Sequence, residues 1–406
     1  MSAGAGAEWH RLQEVLVHEP GPEVFFALLN PDHHLYERFF NLDAAQREHR
    51  RLCEILQEDF GVRIRRLCTS ILDGATAVPG VREGLLGCTS HLLEDTRPPV
   101  QERDPHHLLL AAILGSRPEG QDTALHGTMH NLYFMRDQQI CTDLGMVSGR
   151  MATTERRHET RVTKLALTAL GAGPVASVTE GHLEGGDFIP AGEFAMIGCG
   201  GRTTSAGISC LLQEGIGFDE VAVVHEPVHP LIGGRDYMVN MHLDTYCNIC
   251  GDGIVVGNPA LLNAATVDLH VREGAGYRFT GEKKSLKEFF AEKDFSIVPI
   301  TTLEQVCYAS NFLCVRDREC VAVDTGQIAP LMLERLRQRA NTAPETWGHL
   351  CAQAERDYRR LRGEAEFFPY KREVYAEGLE MTPLGLKNAT GGYGGAHCMT
   401  CPIRRG

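Results

Sequence analysis

A chain of 406 residues with 43% hydrophobic and 23% charged residues has apolar material for a large core, which excludes a disordered or fibrous protein. Its formal net charge of -13 and pI near 5.8 exclude nucleic acid and anionic membrane as main partners, since those need a basic face to replace counterions. Fourteen cysteines without a spacing framework read as reduced thiols, and the first residues lack the basic-then-apolar pattern of a secretory signal, so a cytoplasmic location is expected.

Residues 12–18 are apolar-rich and break at Glu19-Pro20-Gly21-Pro22, which predicts a strand and then a turn. Apolar spacing of three and four over 41–59 predicts a helix with Asp43 and Gln46 as capping candidates, and 62–68 predicts a second strand. Between 74 and 127, Pro79, Pro98, Pro99, Pro105 and Pro118 cut the chain into short helical pieces, read as a helical insertion. Strands are predicted at 131–136 and 140–146 about a tight turn at Asp137, followed by a helix over 154–170 that ends at Gly171.

The same grammar recurs. Strands are predicted at 175–180, 188–190, 195–198 and 220–224 with a helix at 205–214; a hairpin at 237–249 and 253–256 precedes a helix at 286–293 and a strand at 296–300. A last hairpin at 312–316 and 320–323 leads into helices at 330–339 and 345–362, with strands at 372–381 and 399–403. Two hairpin strands, a helix and a strand, repeating about every 60 residues, predict an α/β radial repeat closed on itself. The absence of Gly-x-Gly-x-x-Gly after the first strand argues against a doubly wound sheet.

Near the end of the chain, four glycines in five positions, Gly391-Gly392-Tyr393-Gly394-Gly395, lead into Ala396-His397-Cys398. Such a loop buries little side chain and serves close backbone approach, and it makes Cys398 the candidate nucleophile. Cys398-x-x-Cys401 and Cys247-x-x-Cys250 also have metal-ligand spacing, so a four-cysteine zinc site competes with that assignment, as does a merely floppy tail. Other segments crowd polar groups together: Asn131-Leu-Tyr-Phe-Met-Arg-Asp137 reads as a strand ending on an acid. Glu184-Gly-Gly-Asp187 sets two carboxylates around two glycines, and Met241-His242-Leu243-Asp244 puts a histidine and an acid on one face of a strand. Each alone is more often structural, but a cysteine, a histidine and four carboxylates together are the parts for covalent catalysis on a cation. Arg156, Arg157 and Arg202 supply the opposite sign, with surface ion pairs as their ordinary fate.

With Arg156-Arg-His-Glu-Thr160, Gly201-Arg-Thr-Thr204, Met241-His-Leu-Asp-Thr245 and Gly395-Ala-His-Cys-Met-Thr-Cys-Pro402, these blocks resemble, in order, the signature blocks of the arginine deiminases. The resemblance runs from about residue 12 to the C-terminus. It implies the pentein fold of the guanidino-group modifying enzymes, a five-bladed pseudo-symmetric α/β propeller of ββαβ blades. It further implies a single catalytic domain over 1–406, with the insertion at 74–127 after the first blade. The implied reaction is hydrolysis of L-arginine to L-citrulline and ammonia, without metal or organic cofactor.

Carried over at matching positions, Cys398 looks like the nucleophile and His242 like the general acid and base that Glu184 orients, while Asp137 and Asp244 look like the pair that grips the guanidinium. Arg156, Arg202 and Asn131 look like contacts to the substrate carboxylate, with Phe134 packing on its aliphatic stem. Tyr393 and Gly395 belong to the gate loop over the substrate. Asp187 takes a supporting role, and Arg157 is not expected to point inward. Family members usually carry an arginine where this chain has Tyr393, and the segment after Pro20 reads Pro31-Asp-His-His-Leu-Tyr-Glu instead of an acidic run. The rivals are an amidinotransferase or a hydrolase of a modified guanidine such as a methylarginine or agmatine, and a non-catalytic binding module. By analogy with the family, a homo-oligomer is expected.

Overall fold

The computed structural model describes residues 3–36, 40–93, 102–115 and 128–406. Among these residues the strands form five sheets built on one plan, an antiparallel pair whose second strand has a parallel neighbour on its far side. In the first sheet Cys401–Arg405 runs antiparallel to Leu12–Val17, which is parallel to Arg63–Arg66. The plan repeats in Gln139–Thr142, Gly145–Ser148 and Ala176–Ser177, and in Cys247–Gly251, Ile254–Gly257 and Ser296–Pro299. Leu313–Arg316, Glu319–Val323 and Glu380–Leu384 follow it too. The remaining sheet, Phe188–Ala191, Phe194–Cys199 and Glu220–His225, is widened by the long hairpin Thr266–Glu273 and Gly276–Ser285.

A parallel neighbour requires a crossover, and a helix supplies it in each sheet. These are Leu42–Glu54, Glu159–Ala169, Ser205–Glu214, Leu286–Glu292 and the pair Thr325–Thr342 and Pro344–Glu364. Their starts are locally encoded: Asn41, Thr204 and Ser285 accept a backbone N–H of the first turn through their side chains. The central strands are buried on both faces, so Ile254–Gly257 and Glu319–Val323 read as nearly unbroken apolar runs. No helix among the described residues is long and apolar enough to cross a membrane.

Over the stretch read as an insertion the described residues form the helices Leu67–Ala77, Val81–Leu93 and Pro105–Leu114, the first of them starting before residue 74. Residues 94–101 and 116–127 of that expectation lie outside the described residues.

Several local expectations need correction. Residues 131–136 are not a strand but consecutive turns, closed by Leu132 N–H to Met129 and Phe134 N–H to Asn131, and the hairpin turn lies at Asp143 and Leu144. The segment is buried throughout, so its apolar run reflects burial on all sides and not a pleated face. The strand expected from 237 starts only at Cys247, and Leu243–Thr245 is a 3-10 turn; His242 and Asp244 therefore do not share a strand face. The helix expected from 154 begins at Glu159, and 372–381 opens with the short helix Arg372–Ala376 before the strand Glu380–Leu384. The hairpin Thr266–Glu273 and Gly276–Ser285 escaped notice because it is half exposed, with charged residues on much of its length.

Candidate active site

The polar residues singled out in the sequence lie on the approaches to the first strands of the sheets. Asp137 precedes Gln139–Thr142, Glu184 and Asp187 precede Phe188–Ala191, His242 and Asp244 precede Cys247–Gly251, and Cys398 precedes Cys401–Arg405. The fold thus gathers them from segments far apart in sequence.

Cys398 sits in a tight turn behind the glycine-rich loop and is buried, 4% exposed. The glycines are there for proximity: a Cβ on Gly394 would lie 2.8 Å from that of Cys398 and inside the ring of Phe134. Tyr393 between them takes a left-handed conformation, φ 69°, and its hydroxyl accepts a hydrogen bond from Arg335 at 2.7 Å. The loop is tied at its start by the Glu48 carboxylate, which accepts the N–H groups of Asn388 and Ala389. Glycine again permits contact at Gly186, where a Cβ would be 2.7 Å from His242 Nδ1.

His242 Nε2 meets Glu184 Oε2 at 2.8 Å, and its Nδ1 lies 3.8 Å from Asp137 Oδ1. Burial opposes charge on the imidazole, but the Asp137 and Glu184 carboxylates outweigh it and raise His242 to about 9. Burial likewise opposes charge on Glu184, and Arg202 first, then His242, hold its carboxyl down at about 2. Its other oxygen accepts Ala152 N–H at 2.9 Å, so the acid is fixed in place. Burial pushes Asp187 up to about 6 while its Oδ1 accepts Leu243 N–H at 2.9 Å, tying the two turns together.

Asp244 is fully buried under the nucleophile: its Oδ2 is 3.6 Å from Cys398 Sγ and 2.7 Å from His397 Nδ1. His397 Nε2 lies 3.5 Å from Glu8. Burial, with the Asp244 and Asp137 carboxylates, pushes the Cys398 thiol well above its usual range. A cation entering beside it would reverse that effect, because it neutralises the same two acids.

The cleft over these groups is partly open to solvent. Asn131, Phe134, Asp137, Arg156, Arg202, His242, Tyr393 and Cys398 line it. Glu184 and Asp244 stand behind that lining, and Gly395 gives its N–H to Asn311 at 2.8 Å instead of facing the cleft. Arg156 is already engaged, by Asp137 at 2.8 Å and Glu159 at 2.9 Å, whereas Arg157 is exposed. Arg202 stacks on Tyr237 with its guanidinium carbon 4.4 Å from the ring centroid.

Buried polar atoms are normally satisfied. Here Asp137 Oδ1, Asp244 Oδ1, Asn131 Oδ1 and the Arg202 Nε and Nη1 are buried and make no hydrogen bond among the described residues. Of these, Arg202 Nη1 lies 3.7 Å from Glu184 and Asp137 Oδ1 3.8 Å from His242, so acceptors and cationic donors short of hydrogen bonds border one cleft, which fits a ligand carrying both a cationic fork and an anionic group.

The four cysteines of the zinc alternative do not assemble: Cys247, Cys250, Cys398 and Cys401 fall in four separate apolar clusters. Asp137, Glu184 and His242 do bring one donor atom each within 4.8 Å of one another. In the structure these three serve one another, with His242 Nε2 2.8 Å from Glu184 and its Nδ1 3.8 Å from Asp137.

Comparison with known families decides the relationship. The family profile described as arginine deiminase matches residues 116–405. The chain belongs to the arginine deiminase family. The arginine deiminase of Halobacterium salinarum is 25% identical over 502 residues, covering 99% of this chain and 96% of that protein; the arginine deiminase of Rhodococcus erythropolis is 25% identical over 435 residues, covering 99% and 97%. Among solved structures, a Pseudomonas aeruginosa DDAH mutant complexed with citrulline superposes with a TM-score of 0.52 at 13% identity, covering 96% of this chain and 98% of that one. A mutant of AgrE in complex with L-arginine gives 0.55 at 13% identity over 97% of this chain and 40% of that one. At such identities these two likenesses speak for the α/β pentein fold alone.

Within the family frame, the sequence missed several residues of the cleft and its support. Tyr237, His130, Thr153 and Glu155 line it, His397 backs Asp244, and Asn311 touches the Cys398 sulfur. Asn311 had a positional signal, since it precedes the strand Leu313–Arg316 just as Asp137 precedes Gln139–Thr142.

Proposed function

We propose that the protein is an arginine deiminase that hydrolyses L-arginine to L-citrulline and ammonia through an amidino intermediate on Cys398. The observation that carries this reading is the set of unused buried polar atoms of both signs around a thiol, an imidazolium and paired carboxylates. Asp137 and Asp244 take the guanidinium, whose charge favours the Cys398 thiolate; the thiolate attacks the guanidinium carbon. His242 gives its proton to the departing nitrogen, and as a neutral base it then takes one from the water that releases citrulline. Glu184 keeps the imidazole oriented and charged, and Asp187 supports the turn that carries it. Arg202 and Asn131 receive the substrate carboxylate, with Arg156 holding Asp137 as well as contributing to that end, and Phe134 packs on the methylene stem.

The recurring plan of five sheets supports a five-bladed ββαβ propeller in one catalytic domain, with the segment containing Leu67–Ala77 to Pro105–Leu114 inserted after the first blade. Fourteen cysteines, none of them in a disulfide, support a cytoplasmic setting, and a homo-oligomer follows by analogy with the family.

The deciding experiment offers purified protein L-arginine, agmatine, methylarginines and canavanine, and follows product and any adduct on the Cys398 peptide by mass spectrometry. Citrulline with an amidino adduct on Cys398 supports the reading. An adduct from another guanidine with arginine inert would transfer the substrate assignment to a modified guanidine, and transfer of the amidino group to an added amine would make it an amidinotransferase.

Agmatine lacks the carboxylate and should react with kcat/KM lower by about 100-fold or more, the consequence of leaving buried Arg202 donors without a hydrogen-bond acceptor. Arg202→Ala should shrink that gap by lowering arginine turnover; an unchanged ratio would remove Arg202 from carboxylate recognition.

The pH dependence follows from His242. It must carry a proton for ammonia to leave, so kcat/KM should fall as pH rises through about 9. Glu184→Gln removes the acid that holds the proton, and the alkaline limb should move to lower pH along with the rate; a limb that stays put would separate His242 from it. The same pair stabilises the fold fully above the ordinary glutamate value of 4.5 and below the ordinary histidine value of 6.5, a contribution lost toward about 2 and about 9.

A further inference from the structure

The approaches to the first strands of four sheets carry residues given a role above, and the fifth approach, before Leu313–Arg316, carries Asn311. This side chain is fully buried, and all of its side-chain hydrogen bonds go to the nucleophile loop. Its Oδ1 accepts Gly395 N–H at 2.8 Å and Cys398 N–H at 3.1 Å, and its Nδ2 lies 3.1 Å from Cys398 Sγ. The orientation of the amide is not arbitrary. Turned over, its NH2 would face two backbone N–H donors, so the two backbone groups fix Oδ1 toward themselves and leave Nδ2 aimed at the sulfur. The backbone is pinned as well: the Asn311 carbonyl accepts His397 N–H at 3.1 Å, and the hydroxyl of neighbouring Ser310 donates to the Asp244 carbonyl at 3.1 Å.

The other group at the sulfur is the Asp244 carboxylate, which opposes a thiolate, with Asp137 acting in the same sense from further away. A fixed neutral N–H donor does the reverse, because a hydrogen bond to the charged form favours it.

We propose that Asn311 is a catalytic residue of this reaction, the amide donor to the Cys398 thiolate when it forms for attack and again when it leaves as citrulline is released. This rests on Cys398 being the nucleophile. The thiolate's charge is thus met on one side by the substrate cation and on the other by Asn311, which remains after the substrate charge has gone.

The test compares Asn311→Ala with Asn311→Asp in the full chain. The aspartate keeps the shape and an acceptor for both backbone N–H groups but replaces the aimed N–H by oxygen. The rate of Cys398 alkylation by iodoacetamide is read against pH by mass spectrometry, together with kcat and KM for L-arginine. Both variants are expected to alkylate about 10- to 100-fold more slowly at neutral pH, with the midpoint moved to higher pH, and to lose kcat by a similar factor while KM changes little. Asn311→Asp with the kcat and alkylation profile of the unaltered chain would overturn the proposal and leave the amide a scaffold for the loop. Thermal melting shows which variant is folded, and either one alone suffices for the alkylation profile. If the unaltered chain leaves arginine untouched while Cys398 alkylation still follows Asn311, the substrate reading falls and this one stands.

Discussion

Cys398→Ala is expected to bind L-arginine and lose turnover by on the order of 10⁴-fold or more, since removal of a covalent nucleophile takes the reaction path with it. Binding should survive because Asp137, Arg202 and Asn131 reach the cleft independently of the sulfur. Burial and the two carboxylates hold the thiol neutral in the unliganded site, so its removal takes no charge from that site and affinity for the cation should fall little. Calorimetry of arginine binding beside a sensitive citrulline assay checks both halves. Cys398→Ser should be nearly as inactive, for an alcohol does not ionise near neutral pH. Citrulline formation by Cys398→Ala within tenfold of the unaltered chain would overturn the whole assignment.

Asp244→Asn is the second change with a large expected effect. One carboxylate, fully buried, meets His397 at 2.7 Å and the Cys398 sulfur at 3.6 Å, and its other oxygen is one of the unused acceptors that the guanidinium would take. The amide keeps the volume but removes the charge and turns one acceptor into a donor. The expected loss in kcat/KM is about 10³-fold, shared between a weaker hold on the cation and its misplacement for attack. A Cys398→Ala, Asp244→Asn double variant isolates the binding share, because neither turns over. The idea fails if Asp244→Asn keeps kcat/KM within a few-fold, or if arginine binding is unchanged in the double variant. Asp137→Asn should fall less far, since Arg156 at 2.8 Å already neutralises part of that acid.

Much of the site was legible before any coordinates. The family motifs named Cys398, His242, Glu184, Asp137, Asn131, Phe134, Arg156, Arg202 and Tyr393, and the chain brings them to one cleft or directly behind it. What the motifs did not convey is how each is engaged. Arg156 looks in sequence like a free cation for a carboxylate, yet it holds Asp137 and Glu159; Gly395 looks like a substrate contact, yet its N–H belongs to Asn311. These are choices among competing partners, and a sequence does not rank partners that come from different sheets.

Secondary structure divides in the same way. The helix Leu42–Glu54 announced itself by its amphipathic stripe, a local signal, although its cap is Asn41 and not the expected Asp43 or Gln46. Residues 131–136 misled because their apolar run comes from burial on all sides, and 238–246 because turns replace strands as the chain approaches the site.

The sequence by itself determined the class of chemistry, the repeating strand and helix grammar, and the crossover helices, since residue type and spacing along one segment carry that information. Only the tertiary structure decided that Leu12–Val17 and Cys401–Arg405 share a sheet, that Asp244 lies beneath Cys398, and that Asn311 faces its sulfur. The physical reason is that pairing across hundreds of residues and the balance of charge in a buried site depend on which groups exclude water together, and that is settled by packing and not by the order of the chain.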